Sequence, residues 1–311
     1  MRPAPEPTRT RPLRRHLRRI GGAVAVTVLA VGIPACQRPG EPATPVGSTR
    51  LSVPDTHAAI SAPSTPSASW ASGFSALQAK LGGRVQVALE GIGSSEDQVL
   101  LGRWADGPAW STIKVPLVIA ALRQQGNSAD ITTEMTAAVT ESDNAAAESI
   151  WASLGDPVTA ARKVQDVLRN YGDQHTDVQS TKIRPEFTAF GQTLWSLNEQ
   201  LRFLSEAYCD PANKAVFALM GEIENAQKWG LGKLPGAQFK GGWGPDPAGH
   251  YLVRQIGVIV TPNGSTAVAV ATDPPSGTLD DGIQALNTVA QWLGDHEADL
   301  PAGTCLDVTG R

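Results

Sequence analysis

The pattern of apolar positions along the chain changes from strand-like to helix-like and back again. Segments rich in Val and Leu predict two early strands, at 84–92 and 98–104. Three later segments, AQFKGGW, YLVRQIGVIVT and STAVAVATD, predict strands in the last third. Because helical periodicity lies between these two groups, the pattern predicts an α+β domain, an α/β sandwich in which both ends of the domain form one antiparallel sheet.

Helical periodicity marks a set of segments before, between and after the strands. They are 74–81, 111–124, 131–139, 145–153, 157–170, 192–207 and 279–293. The segment that starts at Ser111 is apolar on every side, which predicts a central helix rather than a surface one. Pro116 near its start is compatible with a helix, since the first amide groups have no partner within the helix.

The first residues have the pattern of an export signal. Seven arginines precede the apolar stretch 20–33, which is too short to span a bilayer comfortably, and the sequence then reads IPAC. This ending resembles a lipobox, which implies removal of residues 1–35 and acylation of Cys36. Simple cleavage and an uncleaved anchor are the alternatives. The expected location is the outer face of the cytoplasmic membrane, with the protein attached to that membrane through its N-terminal lipid.

The next segment differs in composition from the rest of the chain. Residues 36–71 are rich in Pro, Ser, Thr and Ala and lack sustained apolar periodicity. Such a segment cannot bury enough surface to order itself, so it is expected to be a tether. Residues 72–311 then form the folded part, and their length fits one domain.

The net charge of the chain argues against one class of partner. The chain has a net charge of −4, and loss of residues 1–35, with seven Arg and one Glu, changes it to about −10. Nucleic acid is therefore not expected as a partner, because it requires positive surfaces.

In an oxidising compartment Cys209 and Cys305 are expected to form a disulfide bond, with two unpaired buried thiols as the alternative.

Candidate chemistry starts with Ser111 and Lys114, three residues apart at the start of the central helix. This spacing puts both side chains on one face of a helix. Burial there favours the neutral amine, which makes Lys114 a candidate base for the serine hydroxyl. The spacing alone carries no weight, since about 0.5 such pairs are expected by chance.

Two rarer motifs change that interpretation. Ser-Asp-Asn at 142–144 lies between two predicted helices. In a chain of this composition about 0.03 occurrences of the triplet are expected by chance. Capping of the second helix explains one of these polar residues but not three. Lys-Gly-Gly at 240–242 ends a late strand, with about 0.08 occurrences expected and an ordinary hairpin turn as the alternative. Together the three motifs predict one site.

In this order and on these elements, the motifs resemble those of the class A β-lactamase and penicillin-binding-protein superfamily of active-site serine hydrolases. The resemblance covers about residues 70–293. It implies that Ser111 is the acyl-forming nucleophile, that Lys114 activates it, and that Ser142 passes a proton to the leaving nitrogen. It also implies a second group of residues that bind or polarise the substrate. These are Asn144 for the substrate amide, Lys240 for positive charge across the cleft, and Gly242 with Trp243, whose N–H would join that of Ser111 in an oxyanion hole.

The sequence departs from this family in three places. Only 31 residues separate Ser111 from Ser142, which implies a reduced helical lobe and a reshaped wall of the cleft. Gly241 lacks the hydroxyl of the usual Lys-Thr-Gly or Lys-Ser-Gly turn. Arg254 on the next strand is expected either to bind a substrate carboxylate instead or to be a surface arginine. Glu186 is a candidate base for the deacylating water, with a solvated loop carboxylate as the alternative.

Two hypotheses follow. The first is an envelope-tethered serine hydrolase that acts on a cell-wall peptide, a β-lactam-like small molecule or another acyl-amide through a Ser111 acyl-enzyme. Within it, a D,D-peptidase is favoured over an efficient β-lactamase. The second is an inactive lipoprotein of the same fold that binds peptidoglycan or a protein partner. Neither a cofactor nor a metal ion is expected, since the histidines lack metal-binding spacing, and the protein is expected to be a monomer.

Overall fold

The structure is a computed structural model of the 311-residue chain, and it describes residues 68–94, 98–103, 106–126 and 130–306. The predicted export signal, Cys36 and all but the end of the predicted tether lie outside these ranges. Within these ranges, every helix is too short or too polar to cross a membrane.

One antiparallel sheet forms the centre of the fold. Its five strands are β1 (Arg84–Gly91), β2 (Val99–Gly102), β3 (Gln238–Pro245), β4 (Tyr251–Thr261) and β5 (Gly264–Asp273). Their spatial order is β2-β1-β5-β4-β3, and every neighbouring pair is antiparallel. The first and last strands of the domain therefore share one sheet, and the predicted α+β fold class is confirmed.

Eight α-helices accompany this sheet in the described ranges. They are α1 (Ala68–Leu81), α2 (Lys114–Gln125), α3 (Thr133–Thr136), α4 (Asn144–Ser153), α5 (Pro157–Asn170), α6 (Leu197–Tyr208), α7 (Lys214–Met220) and α8 (Leu279–Asp295). The sequence did not predict α7, whose seven residues are too few for a periodic pattern. Helix α1 begins at Ala68, four residues before the predicted domain boundary.

Helix α6 begins later than its apolar pattern predicts. A helix from residue 192 was expected, but Gln192 belongs to a 3₁₀ turn (Phe190–Gln192). Its side-chain oxygen accepts a hydrogen bond from the Arg184 amide at 2.8 Å, so Gln192 fixes the preceding loop. Ser196 then caps α6 by accepting a hydrogen bond from the Glu199 amide.

Both faces of the sheet are covered. On one face α8 lies so close to β4 that Gly282 has no room for a Cβ beside Val253. Successive side chains of a strand point to opposite faces. Accordingly Arg254, the next residue, contacts the other side, where it bonds the carbonyls of Gly107 and Trp195. The fold is therefore a sandwich, and the sheet is its middle layer.

Helix α2 lies in the interior, as its apolar pattern predicts. Every residue from Lys114 to Ala121 is buried. The first predicted turn is a 3₁₀ helix (Trp110–Ile113) rather than an α-helix. Pro116 falls in the first turn of α2, where its missing N–H costs no helical hydrogen bond.

A disulfide bond fixes the C-terminal tail to the domain. Cys209, at the end of α6, is bonded to Cys305, and their Cα atoms are 5.2 Å apart. Two residues earlier in the tail, Gly303 exchanges two backbone hydrogen bonds with Ser265 of β5, of 2.8 and 3.1 Å. The tail thus continues the sheet for one residue, and the disulfide bond holds it there.

Removal of this bond is expected to destabilise the fold without changing its core. The bond closes a loop across a sequence separation of 96, so replacing Cys209 and Cys305 by Ser should lower the free energy of unfolding by about 4 kcal/mol. Urea unfolding measures the difference. A thiol reductant should lower the stability of the wild type similarly and leave the double variant unchanged. A wild type that is insensitive to reductant would contradict the expectation.

Candidate active site

The three sequence motifs meet in one cleft between the sheet edge and the helices. The Lys240 Nζ of β3 lies 2.9 Å from the Ser142 Oγ, and the Lys114 Nζ of α2 lies 3.5 Å from the same oxygen. Gly242 of β3 lies against the backbone of Ser111, since a Cβ there would be 2.9 Å from the Ser111 nitrogen. Residues far apart in sequence therefore form one group.

Ser111 sits at a strained point of the backbone. Trp110 before it has φ of 49°, in the left-handed region that disfavours bulky side chains. The Trp110 ring packs edge-on against Phe187, with centroids 5.0 Å apart, and it fills the space where Gly244 would carry a Cβ. These contacts hold the strained residue in place. The half-buried Ser111 hydroxyl has no hydrogen-bond partner among the described residues.

Lys114 is a buried amine with two strong acceptors. Its Nζ donates to the Ser142 carbonyl at 2.5 Å and to the Asn144 Oδ1 at 2.8 Å. Burial lowers the pKa of Lys114 to about 7, although the nearby Asp143 opposes this shift. A neutral amine has two hydrogens and one lone pair. Two acceptors therefore leave the lone pair of neutral Lys114 free to accept a proton.

The Ser-Asp-Asn segment owes its shape to an irregular helix end. Helix α3 continues into a π-helical turn (Ala137–Glu141), where one continuous helix to residue 139 was predicted. Ser142 then takes a left-handed conformation with φ of 60°. Asp143 caps α4 by accepting a hydrogen bond from the Ala146 amide at 2.7 Å, so it braces the loop. The Ser142 and Asn144 oxygens thereby both reach the Lys114 amine.

Lys240 is a second buried amine beside the first. It is fully buried, and its Nζ donates to the Ser142 Oγ at 2.9 Å and to the Gly241 carbonyl at 3.0 Å. Burial lowers the pKa of Lys240 well below its usual value, the charge of Lys114 lowers it further, and Glu224 opposes both. The Ser142 hydroxyl accepts from an amine, which leaves its own proton available for donation.

The glycines of β3 allow the strand to touch the segment that carries Ser111. A Cβ on Gly242 would lie 2.9 Å from the Ala109 oxygen and 3.1 Å from the Thr112 nitrogen. Because β3 is an edge strand, one of its sides has no neighbouring strand. The close approach places β3 against the backbone at Ser111, and Ser111 and Trp243 line the same pocket.

Trp229 occupies the space beside Gly241, and sequence reasoning missed it. A Cβ on Gly241 would lie 3.1 Å from the Trp229 ring, and the Trp229 and Trp243 rings meet edge-on at 5.8 Å. A Thr or Ser at 241 would crowd this ring. Apolar packing thus replaces the hydroxyl that the family has there, and no local sequence signal marks Trp229 as the partner.

Arg254, expected either to bind a substrate carboxylate or to be a surface arginine, lines neither the pocket at Ser111 nor the protein surface. It is fully buried, and its guanidinium donates to the carbonyls of Gly107 at 3.0 Å, Pro108 at 2.9 Å and Trp195 at 2.8 Å. Burial lowers its pKa to about 9, against the attraction of Asp106, so it stays cationic at neutral pH. Arg254 instead fixes the segment that leads to Ser111.

Glu186 lies on the surface of the loop that borders the cleft. Its side chain is 54% exposed and pairs with Arg184 at 2.9 Å. Hydrogen bonding to its own backbone amide and the pairing with Arg184 hold its pKa below the usual value. The pocket at Ser111 is lined by the next two residues, Phe187 and Thr188, and not by Glu186. This placement matches the solvated loop carboxylate rather than a base facing the nucleophile.

The pocket at Ser111 has a volume of about 210 Å³. Asn144 and Trp243, both predicted from the motifs, line it together with residues that were not, namely Phe187, Thr188, Gly191 and Tyr251. The first three of these belong to the long irregular loop between α5 and α6. Such loops carry no periodic pattern from which these lining residues could be predicted.

Metal binding has no candidate ligands in the ranges that the structure describes. No group of three or more His, Cys, Asp or Glu side chains there is arranged to hold an ion.

The sandwich, its strand order and the helices around the cleft define the β-lactamase and penicillin-binding-protein-like fold. The TLA-3 extended-spectrum β-lactamase matches with a TM-score of 0.57 and 18% identity over 72% of this chain and 98% of its own. A class A β-lactamase from Bacteroides cellulosilyticus matches at 0.58 and 16% over 72% and 97%. A β-lactamase from Xanthomonas campestris matches at 0.57 and 19% over 72% and 96%. No protein-family model and no curated protein matches the sequence.

A comparison of buried Arg254 with exposed Arg84 tests whether Arg254 stabilises the fold. Replacing Arg254 by Met removes a donor from three buried carbonyls, of which that of Gly107 keeps the Trp195 amide, so the free energy of unfolding should fall by about 3 kcal/mol. Arg84, a 65% exposed arginine paired with Asp273, is the matched control, and its Met variant should lose less than about 1 kcal/mol. Urea unfolding compares them. An Arg254→Met variant that is as stable as the wild type but binds penicillin more weakly would restore the carboxylate role.

Proposed function

We propose that the protein is a serine hydrolase that forms an acyl-enzyme at Ser111 from a cell-wall peptide or another acyl-amide. The carrying observation is the pair of buried amines, Lys114 and Lys240, that share the Ser142 hydroxyl beside Ser111. The solved β-lactamases of the same fold support an amide substrate of this kind.

The proposed acylation assigns a role to each polar group around Ser111. The Ser111 oxygen attacks the carbonyl carbon while neutral Lys114 takes the hydroxyl proton. The amides of Ser111 and Trp243 stabilise the negative oxygen that forms. The carbon–nitrogen bond then breaks, and the Ser142 hydroxyl gives its proton to the leaving nitrogen. The Lys114 ammonium then passes the proton that it took from Ser111 to the Ser142 oxygen, so both groups regain their starting states. Lys240 donates a hydrogen bond to the same oxygen throughout.

Deacylation is the weak step in this scheme. Glu186 is exposed, paired with Arg184 and outside the pocket at Ser111, so it is poorly arranged to activate water. We therefore propose a long-lived acyl-enzyme, as in a D,D-peptidase that penicillin inhibits, rather than rapid β-lactam turnover. In cells, the signal-like N-terminus and the lipobox-like Cys36 support a lipid-anchored protein on the outer face of the cytoplasmic membrane.

A second function is favoured by the departure from the resembled family at Gly241. Gly241 offers no hydroxyl to a substrate carboxylate, and the Trp229 ring fills the adjoining space. A protein of this fold that binds peptidoglycan or a protein partner without turning it over would tolerate both features. Covalent labelling separates the two functions, because only the enzyme needs Ser111 to react.

Labelling at Ser111 is the direct test of the enzyme. The folded protein is incubated with a labelled penicillin and, separately, with a fluorophosphonate, and intact mass is measured. We expect a stable adduct from both probes on the wild type and none on Ser111→Ala. Ser94→Ala, a change outside the motifs, is the control and should still label. If neither probe labels the folded wild type, the enzyme proposal fails and the binding function is left.

The lowered pKa of Lys114 predicts the pH dependence of acylation. Since burial lowers this pKa to about 7 and only the neutral amine accepts the proton, the acylation rate constant should rise through pH 7 and then level off. Lys114→Met should lose this inflection together with about 10²- to 10⁴-fold in rate. Lys214→Met, at the exposed start of α7, should keep the wild-type profile. A rate that is flat between pH 5 and 9 would exclude Lys114 as the base.

A further inference from the structure

A second pocket lies directly beside the one that holds Ser111. Its volume is about 300 Å³, within the range of small-molecule sites. Both pockets are lined by Trp110, Gly244 and Pro245, so they are contiguous, and the Trp110 indole lies between them. Nothing in the proposed acylation chemistry uses this second space.

The wall of the second pocket carries exposed apolar side chains. Ile183 is 67% exposed and Leu194 is 61% exposed, and both line it. Among the residues that the structure describes, these are two of five large apolar side chains with such exposure. Scattered exposed apolar residues are ordinary, but two that line one pocket next to a reactive serine indicate an apolar ligand.

The charges around this pocket are arranged against an anionic ligand. Arg184 is held by Glu186 and by the Pro245 carbonyl, and Arg84 is paired with Asp273. The exposed carboxylates of Asp106 and Asp246 also line the pocket. Both arginines are thus already compensated, and the Asp246 carboxylate accepts hydrogen bonds from the amides of Ala248 and His250. Pairing of these charges within the protein favours an uncharged apolar group as the ligand.

The direction of the cleft indicates which part of a substrate enters this pocket. The leaving nitrogen has to meet the Ser142 hydroxyl, which lies beside Lys240, the third residue of β3. Strand β3 then runs past Ser111 to Gly244 and Pro245, which border the second pocket. The acyl part of a substrate, opposite to its leaving group, therefore extends toward the second pocket.

We infer that this pocket is a subsite for an apolar acyl substituent, an alkyl chain or an aryl ring, of the substrate that acylates Ser111. The inference rests on the proposed acyl-enzyme and adds the class of acyl group.

Esters of p-nitrophenol with a constant leaving group test the acyl preference. In the reaction the Ser111 oxygen bonds to the acyl carbon, the ester C–O bond breaks, p-nitrophenolate leaves with the electron pair, and Lys114 holds the serine proton. We expect the acylation rate constant to be at least about tenfold higher for the hexanoyl than for the acetyl ester, because methylenes leave water. Alkaline hydrolysis of the same esters gives the intrinsic reactivity ratio.

Variants of the exposed wall residues locate the effect. Ile183→Asp and Leu194→Asp should bring the hexanoyl-to-acetyl ratio down to the intrinsic one, while Val158→Asp, equally exposed at 66% on α5, should keep the wild-type ratio. All three positions are on the surface, so unfolding temperatures should change little. A wild-type ratio equal to the intrinsic one, or one that all three variants leave unaltered, overturns the subsite.

A binding measurement separates failure of the subsite from failure of the enzyme. In Ser111→Ala, tryptophan fluorescence should report binding of N-decanoylglycinamide and none of N-acetylglycinamide, and adding Ile183→Asp should weaken the former at least tenfold. Decanoyl binding without acylation by any ester supports the subsite and overturns the enzyme. Acylation with a flat chain-length profile and no decanoyl binding supports the enzyme and overturns the subsite.

Discussion

Two buried amines around one hydroxyl are the constraint on which the site depends. Lys114 and Lys240 both contact Ser142, and at neutral pH two ammonium groups so close in a low-dielectric interior would repel strongly. Burial relieves this by favouring loss of a proton. The apolar surface of α2 is therefore part of the chemistry, because it removes the water that would keep Lys114 charged.

The second constraint is the close approach between strand β3 and the segment that carries Ser111. Gly242 and Gly244 let β3 lie against the segment 109–112, and Trp110 and Ser142 take up left-handed conformations on either side of the cleft. Conformations of this kind persist where surrounding contacts fix them, and here Phe187 and the α4 cap supply those contacts. Arg254 adds a third support by holding Gly107 and Pro108.

Sequence reasoning found the parts of the site that lie on regular elements. The Ser-x-x-Lys pair and the Ser-Asp-Asn triplet lie at helix starts, where periodicity and capping leave a readable pattern. Lys-Gly-Gly was expected to end its strand, but β3 continues through it to Pro245. The sheet formed by both ends of the domain followed from element order. Sequence reasoning failed for Arg254 because burial of a strand arginine depends on which loop lies above it. It also missed Trp229 and Ile183, whose neighbours are distant in sequence, and loops have no period that would predict them.

The loop between α5 and α6 determines both the position of Glu186 and the apolar wall of the second pocket. It turns Glu186 outward into a pair with Arg184, and the same arginine bonds the Pro245 carbonyl at the end of β3. It also contributes Ile183 and Leu194 to the wall beside Trp110. Under the proposed function, a loop that turns Glu186 away from the pocket at Ser111 and offers apolar surface next to it favours an acyl-enzyme that is selected by its acyl group and released slowly. One loop would then account for both proposed properties.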